Sequence, residues 1–202
     1  MKTLIKAFSI VSLLFLVSCD PDDITGGENI EYLLGQPEIA GTGCEESRVR
    51  VSDDGKSVEM ETESLTVSAG ASFKSLDRIN CLVAVPITVP SNYKVAVLPA
   101  TFVGKHLLQE GAVLKIGSES FLAGQSGQEA STEIIGKKKG VFSLGTEEFK
   151  DASVSKCGED STLRLNLRIY LRSKNKEAAS IGKIKGLAEG ENSIFKLKFI
   201  KC

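Results

Sequence analysis

The sequence predicts an all-β chain: a single antiparallel β-sandwich domain, jelly-roll-like, with two disulfides. Three observations predict it. Apolar residues recur with period two in run after run, and no stretch sustains a helical period. The runs are short, spaced by about 8–12 residues as in sandwiches and barrels, and 19 glycines punctuate them. Beyond Cys19 there are four cysteines, Cys44, Cys81, Cys157 and Cys202. An even number in an exported chain reads as two bridges.

Export is itself read from the start of the chain. Lys2 and Lys6 precede an uncharged apolar run from Ala7 to Val17. A bilayer span needs about 20 residues, so this run has the size of a secretory leader. It closes on Leu16-Val17-Ser18-Cys19, which resembles a bacterial lipobox. The resemblance implies acylation of the Cys19 thiol and cleavage just before it; the plainer reading is an ordinary signal peptide with a chance cysteine. Residues 1–18 are read as a lipoprotein signal peptide. From Asp20 to Glu46 there are eight acids and no Lys or Arg. Such composition buries little apolar surface, so residues 19–37 are expected to form an acidic flexible tether and 38–202 the β-sandwich domain. The expected location is the bacterial cell envelope, periplasmic or outer surface, with the membrane as partner through the lipid alone.

The strands follow in order. Val49 and Val51, then Val58, Met60 and Thr62, flank "SDDGKS", where Asp54-Gly55 signals a hairpin. Leu65 and Val67 are read as extending its second strand. Phe73, Leu76 and Ile79 stand three apart and suggest a helical turn. Val83, Val85, Ile87 and Val89 alternate, with Pro86 favouring an edge or a bulge. "KVAVL", "ATFVGKHLL", "AVLKIG" and "SFLAG" read as further short strands. "FLAGQSGQEAST" reads as a mobile loop or, more sharply, a binding loop. "STEIIGKKKGVFSLG" looks like a hairpin with a basic tip at Lys137, Lys138 and Lys139. "STLRLNLRIYLRSK" is the clearest strand: Leu163, Leu165, Leu167, Ile169 and Leu171 face one way, Arg164, Asn166, Arg168, Tyr170 and Arg172 the other. In "SIFKLKFIKC" Phe195, Leu197 and Phe199 alternate with lysines, and Cys202 has the lysines' parity. A bridge there is expected at a sheet edge or beside a bulge.

Charge and cysteine spacing exclude several functions. Without Lys2 and Lys6 the chain holds 23 bases and 26 acids; setting aside the eight acids of Asp20–Glu46 leaves 18, so the body is mildly basic. That balance and export argue against nucleic acid as a partner. Neighbouring cysteines are 37, 76 and 45 residues apart, unlike the close pairs of zinc sites. Three disulfide connectivities remain open from spacing alone.

Gly41-Thr42-Gly43-Cys44, "SDDGKSVEMETESLTVSAG", Arg78-Ile79-Asn80-Cys81 and "KCGEDSTLRLNLRIYL" together resemble an uncharacterised secreted family, domain of unknown function 4360. The likeness runs from about Gln36 to Cys202. It implies an all-β secreted domain and a Cys44–Cys81 bridge, which leaves Cys157–Cys202. It implies no activity. The chain departs from the family pattern in having no tryptophan and in its lipobox.

The search for chemistry yields no catalytic residue. His106 is the only histidine, so any Ser-His-Asp or Cys-His arrangement would need it; it sits inside an apolar run, and no G-x-S-x-G elbow accompanies it. A histidine-built metal site is excluded by that count, and Asp53-Asp54-Gly55 and Glu159-Asp160 match no calcium loop. No metal and no cofactor are expected. With no Trp and three Tyr, a sugar-stacking cleft is poorly supplied. A carboxylate pair assembled in space stays open, so the alternative reading is a hydrolase acting on envelope or extracellular polymers. The preferred reading is a non-enzymatic binding or structural module. Its one candidate surface is the row Arg164, Arg168 and Arg172, spaced about 13 Å apart along a strand, with Asn166 and Tyr170 between them. Such a row suits an anionic envelope polymer or a protein partner. The plainer reading is a solvated face with cross-strand Glu partners.

Overall fold

Alternation decides the architecture, because every second side chain of an extended segment lands on the same face. The structure, a computed structural model, describes residues 33–53, 55, 57–62, 65–98, 100–145, 153–185 and 193–202. Among these, the regular elements are fourteen strands. In chain order they are β1 (Leu33–Leu34), β2 (Glu38–Ala40), β3 (Arg48–Val51), β4 (Ser57–Glu61), β5 (Thr66–Ala69), β6 (Leu76–Thr88) and β7 (Tyr93–Val97). Then come β8 (Thr101–Leu108), β9 (Val113–Leu122), β10 (Gln128–Ile135), β11 (Lys138–Gly145), β12 (Ser161–Arg172), β13 (Ser180–Lys185) and β14 (Ser193–Lys201).

The strands form three antiparallel sheets. The largest runs β1-β6-β12-β9-β10, with β2 also on β6. The second runs β11-β8-β13-β5 and the third β3-β4-β14-β7. The fold is an antiparallel β-sandwich, with the largest and second sheets as facing layers. β12 sits at its centre. Leu163, Leu165, Leu167, Ile169 and Leu171 are at most 1% exposed, and each such burial contributes about 1.5–3 kcal/mol. The second sheet lies against that apolar face. A Cβ at Gly182 of β13 would stand 2.6 Å from Leu114 Cδ1 of β9 and 3.4 Å from Ile169 Cδ1 of β12. Only a bare backbone lets the two layers approach this closely. The second and third sheets meet where Phe102 of β8 packs on Phe195 of β14, ring centroids 5.4 Å apart.

The β3–β4 hairpin forms as its turn residues require. Arg48 pairs with Glu61 and Val51 with Val58; Gly55 takes φ +66°, open to glycine at no steric cost. Several expectations are corrected. β4 ends at Glu61 and Leu65 stands just before the next strand: its carbonyl accepts from Ile184 N (3.0 Å) and β5 pairs with β13 in another sheet. Leu76 and Ile79 lie in the long strand β6 and Phe73 in the turn before it, so no helical turn forms. "AVLKIG" and "SFLAG" share one strand, β9, because the ladder runs unbroken through Ser118 and Ser120, which are buried and pair in register with Leu167 and Leu165. "FLAGQSGQEAST" contributes residues at both ends to β9 and β10; Gln125 N donates to Leu122 O (3.0 Å) in the tight turn between.

The largest correction concerns Lys137–Lys139. β10 pairs with β9 and β11 with β8, in different sheets, so the segment is a crossover and not a hairpin. A two-residue hairpin over Gly136-Lys137 would set Phe142 opposite Ser131 and Leu144 opposite Glu129. Burying Phe142 and Leu144 would then drag that polar pair inward. Separate layers bury the apolar residues and leave the polar ones in water.

Leu33 and Leu34, inside the stretch read as tether, pair with Thr88 and Ile87 of β6. The two adjacent leucines set this part of the stretch apart from the acidic residues before it. β6 is thus not the sheet edge that Pro86 suggested. Its outer neighbour is broken between β1 and β2, and in that gap Gly35 N donates to Pro86 O (2.8 Å). The bridges are Cys44–Cys81 and Cys157–Cys202, with Cα–Cα distances of 5.1 and 6.3 Å. Cys202 lies just past β14, its N donating to Asn92 O (2.8 Å) just before β7, so its lysine parity leads to an exposed bridge at the end of the sheet.

Candidate functional site on the outer face of the large sheet

The face of the large sheet turned away from the core is built from cross-strand rows. Tyr170 of β12 stands opposite Arg78 of β6 and Lys115 of β9, and Lys115 stands opposite Glu133 of β10. In the next row Arg168 stands between Asn80 and Gly117, and Gly117 faces Ser131. Beyond it Asn166 stands between Leu82 and Glu119, and Glu119 faces Glu129. The first two rows floor a groove of about 890 Å³ that also takes in Thr42, Glu129 and Thr132.

Gly117 shapes the floor. A Cβ there would stand 2.7 Å from Arg168 Nε and 3.1 Å from its Cγ. The Arg168 side chain therefore lies across the bare backbone of β9. It reaches Glu129 on β10, where its Nη2 donates to Oε1. Lys115 Nζ meets Glu133 Oε2 at 2.7 Å. Both pairs are about half exposed, so each holds its cation in place at a contribution of about 0–1 kcal/mol. Tyr170 is then ringed by four cations: Arg78 and Lys115 across the ladder, Arg168 and Arg172 two residues away on its own strand. Arg78 and Arg172 have no carboxylate partner among the described residues.

Of the expected arginine row, Arg168 lines the groove. Arg172 stands past one end, between Leu76 and Val113, and Arg164 past the other, between Ala84 and Phe121. All three are exposed on the same face. The cross-strand Glu partner of the plainer reading exists for Arg168. Arg78, Asn80, Lys115, Glu129, Ser131 and Glu133 escaped the sequence reading. The one local signal was Gly117, a glycine inside an apolar strand, which marks a close approach.

His106 lies elsewhere, on β8 between Gly140 and Gly182. It stacks on Phe142 with centroids 6.3 Å apart, and its buried Nδ1 has no hydrogen-bond partner. Burial, and then the charge of Lys138, push its pKa below the ordinary value. Among the described residues no carboxylate pairs with it, and the geometry is that of a packed ring. Asp160 Oδ1 accepts from Val89 N (2.9 Å), a structural use for one of the loop acids. Cys19 and the leader lie outside the described residues.

A search of the curated proteins finds no match. Among nine matching solved chains is TmCBM61, solved in complex with beta-1,4-galactotriose. It is 13% identical over 84% of this chain and 91% of its own, with a TM-score of 0.30. The enzymatically active domain of tailspike protein 4 of bacteriophage CBA120 is 10% identical over 86% of this chain and 20% of its own, with a TM-score of 0.23. Likenesses this weak carry no argument about the groove. The model of the family described as domain of unknown function (DUF4360) matches residues 34–202, from β1 to the last cysteine, and the chain belongs to that family.

Proposed function

We propose that this protein is an exported, lipid-anchored, non-enzymatic binding module, and that the groove on its large sheet holds an anionic polymer of the envelope. The observation that carries the reading is the ring of Arg78, Lys115, Arg168 and Arg172 around Tyr170. Two of these cations are held in place by Glu129 and Glu133, and two guanidinia are free to form bidentate pairs with carboxylate, sulfate or phosphate. Thr42, Asn80 and Ser131 add neutral hydrogen-bonding groups on the same floor. Two disulfides fit an oxidising, extracytoplasmic compartment. The test is salt-dependent retention on immobilised acidic polysaccharide. Wild-type protein is expected to bind at low salt, and the double change Arg78→Gln, Arg172→Gln to abolish retention with the melting temperature unchanged. Equal retention of the two proteins overturns the groove as the site. Mass spectrometry of the mature protein tests the anchor: an unmodified Cys19 removes it.

One observation favours a hydrolase as the second reading. Glu119 and Glu129 are directly opposed on neighbouring strands, which sets their Cβ atoms about 4.5–5.5 Å apart. Arg168 pairs with Glu129 and fixes the position of its carboxylate beside Glu119. Shortening of an acidic polymer by the wild type, lost in Glu119→Gln, would favour this reading over simple binding.

A further inference from the structure

The outer face of the second sheet has a composition unlike that of the groove. Its rows are Lys139–Leu107–Ile181–Ser68 and Val141–Lys105–Lys183–Thr66. Leu107, Val141 and Ile181 are 42%, 63% and 39% exposed. Lys105 and Lys183 stand directly opposite each other, a repulsive arrangement on a ladder. None of the outward positions on these four strands is an Asp or Glu. Lys105, Lys139 and Lys183 carry no ion pair among the described residues. The repulsion is therefore uncompensated within the sheet, and an apolar strip lies bare between the lysines.

We infer that this face docks on an anionic phospholipid surface. A soluble polyanion would neutralise the lysines but leave Leu107, Val141 and Ile181 in water. A bilayer interface accepts both, with apolar side chains below the headgroups and lysine stems reaching up to the phosphates. The two sheets present their inner faces to each other at Gly182, Leu114 and Ile169. Docking the second sheet on the membrane therefore turns the groove of the large sheet outward.

The test uses the full chain with Cys19→Ala, so that no acyl chain contributes, in flotation with phosphatidylglycerol-containing and with pure phosphatidylcholine vesicles. The leader's Lys2 and Lys6 also favour anionic vesicles, so the contribution of the face is read from the lysine variant below, which keeps the leader unchanged. Binding to the anionic vesicles is expected to be about tenfold tighter or more, and to weaken with salt. Lys105→Gln with Lys183→Gln should bring it down by about 25-fold, since each lysine near such a surface is worth roughly a fivefold factor. The same change should leave the melting temperature equal or higher, because it relieves the opposed pair; a purely structural role predicts a fall. Leu107→Ser with Val141→Ser should weaken binding to both vesicle types. Arg78→Gln with Arg172→Gln should leave vesicle binding unchanged. Equal binding to the two vesicle types, or an unaltered lysine variant, overturns the inference. So does loss of dextran-sulfate retention by the lysine variant without any vesicle binding, which would make the partner a soluble polyanion.

Discussion

Replacing Gly117 by Ala probes the groove with a single methyl group. Its Cβ would stand 2.7, 3.1 and 3.4 Å from Nε, Cγ and Cδ of Arg168, and these are its three nearest neighbours. Every atom in the way belongs to one flexible side chain, so Arg168 lifts and the sheet stays where it is. The energetic terms are small and opposed. Lifting Arg168 breaks its pair with Glu129; the side chains are 48% and 54% exposed, so the loss is about 0.2–1 kcal/mol. Removing a glycine from a strand interior returns about 0.5–1 kcal/mol. Net stability should stay within about 1 kcal/mol, a shift of at most about 4 °C for a domain of this size. Function should not stay put. The floor rises by a methyl, Arg168 leaves its position and Glu129 becomes an unpaired anion in the groove. Retention on acidic polysaccharide should fall several-fold. The assay is thermal unfolding beside retention, with Arg168→Ala and the double variant completing a cycle. If Arg168 transmits the effect, Gly117→Ala changes retention little once Arg168 is gone. A loss of more than about 2 kcal/mol in stability, or unchanged retention in the single variant, refutes the reasoning.

Three further outcomes are expected. Gly182→Ala should behave in the opposite way to Gly117→Ala: its Cβ meets Leu114 at 2.6 and 3.1 Å between packed layers, so it should cost about 1–3 kcal/mol in chemical denaturation and leave retention unchanged. Graded reduction followed by peptide mapping should open Cys157–Cys202, whose cysteines are both exposed, before Cys44–Cys81, whose cysteines are 4% and 0% exposed. Losing either bridge, which close loops of 37 and 45 residues, should cost about 4 kcal/mol by loop-closure entropy. Burial lowers the pKa of His106 in the fold, so the unfolded chain takes up its proton first as pH falls. The stability this ring contributes is present above the unfolded pKa of about 6.5 and is lost below it, toward the folded value. His106→Leu should flatten that part of the stability–pH curve in denaturant titrations between about pH 7 and 5.

The strand β12 was legible from its sequence because its signal is local: five apolar residues at alternate positions specify a face without any knowledge of neighbours. The β3–β4 hairpin was legible for the same reason, with the turn signalled in the sequence by Asp54-Gly55. The β10–β11 segment misled because a basic Gly-Lys tip between two apolar runs is also a local signal, and it was outweighed. Phe142 and Leu144 needed burial on one phase while Glu129 and Ser131 needed water on the matching phase. That conflict appears only when the pairing partner is known. Likewise the Leu65–Val67 segment kept its alternation but changed sheets.

The groove was illegible for a stronger reason. Tyr170 and its flanking arginines come from one strand and were found together, yet Arg78 is 92 residues and Lys115 55 residues away in the chain. Antiparallel register brings them opposite Tyr170, and a slip of one residue in either ladder would send the cation on that ladder to the core side. What prevents the slip is the inner face: Ile79, Cys81 and Val83 on β6, and Leu114 and Ile116 on β9, must meet Ile169, Leu167, Leu165 and Leu171 in the core. The polar face thus inherits its geometry from the apolar one. The four-cation ring around Tyr170 is fixed by burial on the far side of the same sheet, and the Cys44–Cys81 bridge pins β6 in that register. A core change that shifts β6 without unfolding the domain should therefore disable the groove before it melts the fold.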